Sequence, residues 1–133
     1  ILEKDYIPVI ATLGCDEEGH TYNINGDTAA AYIAGALQAE RLLMMTDVPG
    51  ILRDKDNITT LIPHISLQEA KQLREEGIIA GGMIPKVECC IEAIRSGVKN
   101  VVIMDGRIPH SILMELLTDE GAGTMVTGDY NYD

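Results

Sequence analysis

The stretch Ala80-Gly81-Gly82-Met83-Ile84-Pro85-Lys86-Val87 organises the reading of this chain. Ile84, Val87, Ile91 and Ile94 recur at spacings of three and four, so a helix with one apolar stripe follows the glycines. Pro85 suits the first helical position, where no backbone donor is needed. Ser96-Gly97 closes the helix, and the apolar run Asn100–Met104 behind it reads as a strand. Working upstream, Ser66 and Glu69 spell a capping box for a helix reaching about Glu76. Arg41–Thr46 is a second buried-type strand, leaving through the turn Asp47-Val48-Pro49-Gly50. A small-residue helix from about Asp27 to Leu37 precedes it. Strands alternating with helices give an α/β fold with a mainly parallel central sheet. Ligands of such sheets sit beyond the carboxyl ends of the strands, which here are Asp47–Gly50 and Asp105-Gly106.

The flanks complete this organisation. Ile1–Asp5 reads as the last turn of a helix, Tyr6–Leu13 as a strand, and Cys15–His20 as a polar turn ahead of the extended piece Tyr22–Asn25. Past Asp105-Gly106 come a helix from about His110 to Leu117, an edge strand Gly121–Val126 and a loose tail Thr127–Asp133. Residues 1–126 therefore read as one unit and 127–133 as an appendage.

Composition narrows the partners. The 133 residues carry a formal charge of −11, which argues against nucleic acid or an anionic membrane surface. The longest apolar runs are under ten residues, so no transmembrane helix is expected, and no secretory leader reads ahead of Ile1. Cys15, Cys89 and Cys90 form neither a disulfide frame nor a zinc spacing, which points to free thiols in a cytoplasmic setting.

Lys86 is the anomaly of its helix. A cation in the first turn opposes the helix dipole at a cost of about 0.3–1 kcal/mol, and a bound anion reverses that sign. Glycines let a phosphate approach the backbone. The run therefore reads as a phosphate-handling site, against the plainer reading of a turn followed by a surface lysine. Asn23-Ile24-Asn25-Gly26-Asp27 opens the alanine-rich helix. Its amides suit a substrate carboxylate and its aspartate a nearby lysine; ordinary turn and N-cap chemistry is the alternative.

Asn23-x-Asn25-Gly26-Asp27, Thr46-Asp47-Val48-Pro49-Gly50-Ile51, Gly81-Gly82-Met83-Ile84-Pro85-Lys86 and Asp105-Gly106-Arg107 occur in the order seen in acetylglutamate kinases, a branch of the amino-acid kinase family. The resemblance covers about Ile1 to Val126 and matches only the carboxyl-terminal, nucleotide-binding half of such an enzyme. It implies an incomplete three-layer sandwich of the amino-acid kinase type. The other half would bring glycine-rich loops, a second catalytic lysine and an arginine for the substrate carboxylate.

The family reaction passes the γ-phosphoryl of ATP to the side-chain carboxylate of N-acetyl-L-glutamate in arginine biosynthesis. By resemblance Lys86 neutralises charge on the phosphoryl group and Asp27 orients the lysines. Asn23 binds acetylglutamate, Asp47, Val48, Pro49, Gly50, Ile51 and Leu52 form the adenine and ribose loop, and Ile78, Ile79, Ala80 and Gly82 make further nucleotide contacts. Mg²⁺ would be held by the nucleotide phosphates, with no protein metal ligand. The stretch from Arg107 through Glu115 to Thr124 resembles the arginine-inhibited, hexameric branch, in which Glu115 and Gly121 match effector-site positions. Val102 stands where that branch often has a histidine. A solvated helix face is the alternative for Glu115. The resemblance further implies a homo-oligomer and a PII-type nitrogen signal protein as partner. Two other readings are a non-catalytic nucleotide-binding module and a family relative with a different acceptor. Because positioning is worth roughly 7–11 kcal/mol, the 133 residues alone are expected to turn over little or not at all.

Overall fold

The computed structural model describes residues 2–129. In chain order the elements are β1 (Leu13–Cys15), β2 (Thr21–Asn23), α1 (Gly26–Ala36), β3 (Arg41–Thr46), β4 (His64–Ser66), α2 (Leu67–Glu75), α3 (Met83–Arg95), β5 (Asn100–Asp105), α4 (Ser111–Leu117) and β6 (Gly123–Thr127). β1 and β2 form a small antiparallel hairpin, and the other strands make a sheet in the order β3-β5-β6-β4. β3 runs parallel to β5, with Arg41 opposite Asn100 and Thr46 opposite Asp105. β4 runs parallel to β6, while β5 and β6 are antiparallel.

Side-chain alternation along β5 divides the molecule into layers. Val101 and Ile103 join the core formed with Ala31 and Ala34 of α1, Leu73 of α2, and Val87, Cys90 and Ala93 of α3. Val102 and Met104 point to the opposite face and are also fully buried. On that face Arg41 of β3 meets Glu115 of α4 at 3.9 Å. Helices therefore lie on both sides of the sheet, as the α/β reading requires. Each fully buried valine, isoleucine or methionine contributes about 1.5–3 kcal/mol relative to its exposed state, and β5 alone holds four with no exposure. The small residues of α1 let it approach α3 closely: a Cβ added at Gly35 would sit 2.6 Å from the Ser96 Cβ. Burial pushes the Cys90 thiol up to about 12, so it stays protonated and packs as an apolar group against Met44.

The capping box at α2 forms as read. The Glu69 N–H donates to Ser66 Oγ at 3.1 Å, and the Ser66 N–H donates to Glu69 Oε2 at 2.8 Å. These bonds hold the Glu69 carboxyl below its usual range.

Five details differ from the sequence reading. The expected strand Tyr6–Leu13 is replaced by β1 alone. No described strand pairs with residues 6–12, and Ile7 and Val9 are 89% and 95% exposed. The first residues form a short 3₁₀ turn, Leu2–Lys4, rather than the end of an α-helix. β4 is unanticipated, because three residues, the last of them the cap of α2, carry too little alternation to announce a strand. As a consequence β6 is not an edge: it lies between β5 and β4 and continues through Thr127, the first residue assigned to the tail. Asp129 accepts from the Gln68 N–H at 2.9 Å, and the rest of the expected tail, 130–133, lies outside the described residues. Finally, α3 begins at Met83, two residues before Pro85, which occupies its third position.

Among the described residues no helix is long and apolar enough to cross a membrane.

Candidate functional site

Chain direction brings the motif-bearing turns of the sequence to one end of the sheet. α1 ends just before β3 starts, and α3 ends just before β5 starts. Both helices therefore run opposite to these parallel strands, and their N-termini lie at the strands' carboxyl ends. Four chain segments meet there: the start of α1, the start of α3, the exit of β3 at Asp47 and the exit of β5 at Asp105.

The chemistry centres on Lys86 and Asp27. Lys86 Nζ donates to Asp27 Oδ2 at 2.8 Å, with the two side chains 25% and 31% exposed. The pair joins the first turn of α1 to the first turn of α3 and remains reachable from solvent. The N-cap of α1 is Asn25, whose side-chain oxygen accepts from the Thr28 N–H at 3.1 Å. That division of labour frees the Asp27 carboxylate for the lysine. Thr28 also lies 3.9 Å from Cys89 Sγ, so the two helix starts adjoin below the ion pair. Asn23 closes β2 just ahead of this start and is exposed.

The glycine run gives a narrower cradle than a helix with all its first amides free. Met83 N–H donates to the Ala80 carbonyl and Ile84 N–H to the Gly81 carbonyl, each at 3.2 Å, and Pro85 has no donor. What remains open is the turn itself. Gly81 takes φ +56, and a Cβ built on Gly81 or Gly82 meets nothing within 4 Å. An anion at this turn has room beside the backbone and the Lys86 ammonium within one helical turn.

At the strand exits, the Gly106 N–H donates to the Thr46 carbonyl at 2.8 Å and fixes β5 to β3 where they end. Asp105 is almost fully buried and accepts from Arg107 three times, from the backbone N–H at 2.9 Å, Nε at 3.0 Å and a terminal guanidinium nitrogen at 2.8 Å. These bonds lower its carboxyl to about 2. Asp105-Gly106-Arg107 thus braces the rim. Asp47 is exposed on the neighbouring turn, Val48 and Pro49 are half-buried, and Leu52 forms a bridge with Leu61. Two residues of the expected nucleotide loops face inward instead: Ile51 and Ile79 are each 2% exposed and belong to the core, so only their backbones can touch a ligand. Ile78 packs against that core, and Ala80 is exposed.

Glu115 and Gly121 come together away from this end, on the α4 face. Glu115 is 6% exposed, which removes the solvated-helix reading. Its Oε2 accepts from the Ala122 N–H at 2.8 Å, and the Arg41 guanidinium approaches its other oxygen. Both residues line a cavity of about 320 Å³ shared with Arg41, Pro63, His64 and Met125. Arg41 had no local signal, because its partner lies 74 positions away.

Comparison with known proteins agrees with this architecture. A model of the amino acid kinase family matches residues 1–105. The acetylglutamate kinase of Brachyspira hyodysenteriae is 55% identical over 129 residues, 97% of this chain and 45% of the relative. That of Clostridioides difficile is 54% identical over 125 residues, covering 94% and 44%. Among solved structures, N-acetylglutamate synthase from Neisseria gonorrhoeae, complexed with coenzyme A and L-arginine, superposes with a TM-score of 0.80 at 36% identity, over 89% of this chain and 27% of that one. Carbamate kinase from Giardia lamblia bound to AMP-PNP shares the fold, with a TM-score of 0.64 at 23% identity over 88% and 37% of the two chains. The chain spans less than half the length of the curated relatives it matches. With the family model covering most of its length and the sheet, helix starts and Lys86–Asp27 pair arranged as described, the chain belongs to the amino acid kinase family.

Proposed function

We propose that this chain is the nucleotide-binding half of a phosphotransferase that moves the γ-phosphoryl of ATP to the side-chain carboxylate of N-acetyl-L-glutamate. The observation that carries the reading is the 2.8 Å Lys86–Asp27 pair, set between two helix starts at the carboxyl ends of β3 and β5. The kinships with acetylglutamate kinases support the acceptor.

The acceptor carboxylate is already a nucleophile, so the protein needs no general base; it must position two anions and offset their charge. Lys86 supplies the positive charge, and Asp27 holds its ammonium in place. The Gly81-Gly82 turn lets the phosphates approach, Asp47–Leu52 and Ile78–Ala80 receive the rest of the nucleotide, and Asn23 meets the acetylglutamate. Mg²⁺ held by the nucleotide phosphates would supply further charge neutralisation there. The donor set fits that arrangement, since Asp27 is committed to Lys86 and Asp105 to Arg107. In the Glu115 cavity, a buried carboxylate beside a guanidinium suits an amino-acid effector, and the synthase solved with L-arginine supports arginine itself. The exposed apolar side chains of Tyr6, Ile7, Val9 and Ile10 favour homo-oligomeric association. The PII-type partner rests on the family resemblance.

A second reading is a nucleotide-binding module without turnover, which the open Gly81-Gly82 turn beside Lys86 supports equally. Calorimetry tests what the two share. The folded chain is expected to bind MgATP with a dissociation constant no weaker than about 1 mM, equivalent to about −4 kcal/mol. Folded chain that shows no heat at several millimolar nucleotide would remove both readings.

A further inference from the structure

The Asp47–Leu52 loop has an anchor far from it in sequence. Thr124 of β6 has no exposure, and its hydroxyl makes two bonds: it accepts from the Ile51 N–H at 2.8 Å and donates to the Ile62 carbonyl at 2.7 Å. The Ile62 N–H in turn donates to the Ile51 carbonyl at 2.9 Å. The hydroxyl thus bridges the two sides of the arm from 51 to 62 at its root, beside that backbone bond. Gly50 is seated on the same atom. Its φ is +146, and a Cβ there would stand 2.6 Å from Thr124 Oγ1 and 2.9 Å from Leu61 Cδ1. At the other end of the loop, Thr46 is tied to Gly106. Asp47-Val48-Pro49 is thus a short span between two fixed points, and Thr124 sets one of them.

We infer that Thr124 is a positioning residue for the nucleotide: its hydroxyl holds the Gly50–Ile51 backbone so that Asp47–Pro49 presents a preformed surface. The inference rests on reading Asp47–Leu52 as the nucleotide loop. A flexible loop would have to be ordered by the ligand, and that ordering would be subtracted from the affinity.

Three variants of the chain test it, each checked for folding by circular dichroism and titrated with MgATP. Thr124→Val keeps the shape and removes both hydrogen bonds; Thr124→Ser keeps the hydroxyl. Val126→Ala cuts a cavity in the same strand, on the face turned to α1 and α3. Thr124→Val is expected to weaken MgATP binding about tenfold, while Thr124→Ser and Val126→Ala stay within about twofold of the parent. If Thr124→Val does not fold, Thr124→Ala removes the same hydroxyl with less bulk and carries the same expectation. Unchanged affinity in the hydroxyl-free variant overturns the inference. So does an equal loss in Val126→Ala, which would show that binding merely tracks stability. A parent chain that is folded and binds no MgATP overturns the nucleotide-loop reading itself, before any substitution is compared.

Discussion

Lys86→Met, made in a full-length kinase carrying this chain, lowers kcat by about 10²–10³-fold and leaves the KM for acetylglutamate within about threefold. The expectation follows from where the ammonium stands. It is one turn into α3, beside an open Gly81-Gly82 turn, and Asp27 holds it at 2.8 Å. On the proposed reaction, charge that develops as the phosphoryl group leaves ADP would meet a cation already in place, so the interaction would grow in the transition state. Methionine keeps most of the side chain's length and apolar stem but carries no charge. Steady-state kinetics at saturating MgATP reads the split. A variant with near-parental kcat would remove Lys86 from the reaction.

The second large effect belongs to Asp27. Asp27→Asn is expected to cut kcat by about 10²-fold while the fold survives. An amide of the same size offers the ammonium only a neutral, weaker acceptor and so holds its position less firmly, and a misplacement on the order of 1 Å costs about that much in rate. Stability should change little. The α1 cap is made by Asn25, not by this residue, and a part-exposed ion pair contributes about 0–1 kcal/mol. Melting temperature and kcat measured on the same preparation separate the roles: loss of both together would make Asp27 a structural residue.

The sequence was most legible where local rules and tertiary packing agree. The Ser66–Glu69 box, the Ser96-Gly97 stop and the apolar run of β5 each state their structure within a few residues, and each forms as read. Legibility failed where a strand's partners decide its fate. Tyr6–Leu13 has the composition of a strand, yet no described strand ladders with residues 6–12, so only Leu13–Cys15 forms a ladder, with β2. His64–Ser66 is the reverse case, three residues made into a strand by hydrogen bonds to β6. At the site, the Asn-Gly-Asp and Gly-Gly-x-x-Pro-Lys runs pointed to the residues that pair, 59 positions apart. Their geometry needed the fold: which asparagine caps α1, which helix amides are already occupied, and that Ile51 and Ile79 turn inward. Thr124, through Ile51, and Arg41, through Glu115, act over still longer separations, and no local pattern marks them.

On the proposed reading, nucleotide phosphates bind at the carboxyl ends of β3 and β5, against the Gly81–Lys86 turn. Residue-resolved amide hydrogen exchange on the folded chain, with and without saturating MgATP, addresses it directly. Protection is expected to concentrate at Gly81, Gly82 and Lys86 and at Asp47, Val48 and Gly50, while the groove between α2 and α3, lined by Leu67, Lys71, Arg74, Ile84, Glu88 and Ile91, is unaffected. Protection confined to that groove or to the Glu115 cavity, with both turns unchanged, would contradict it.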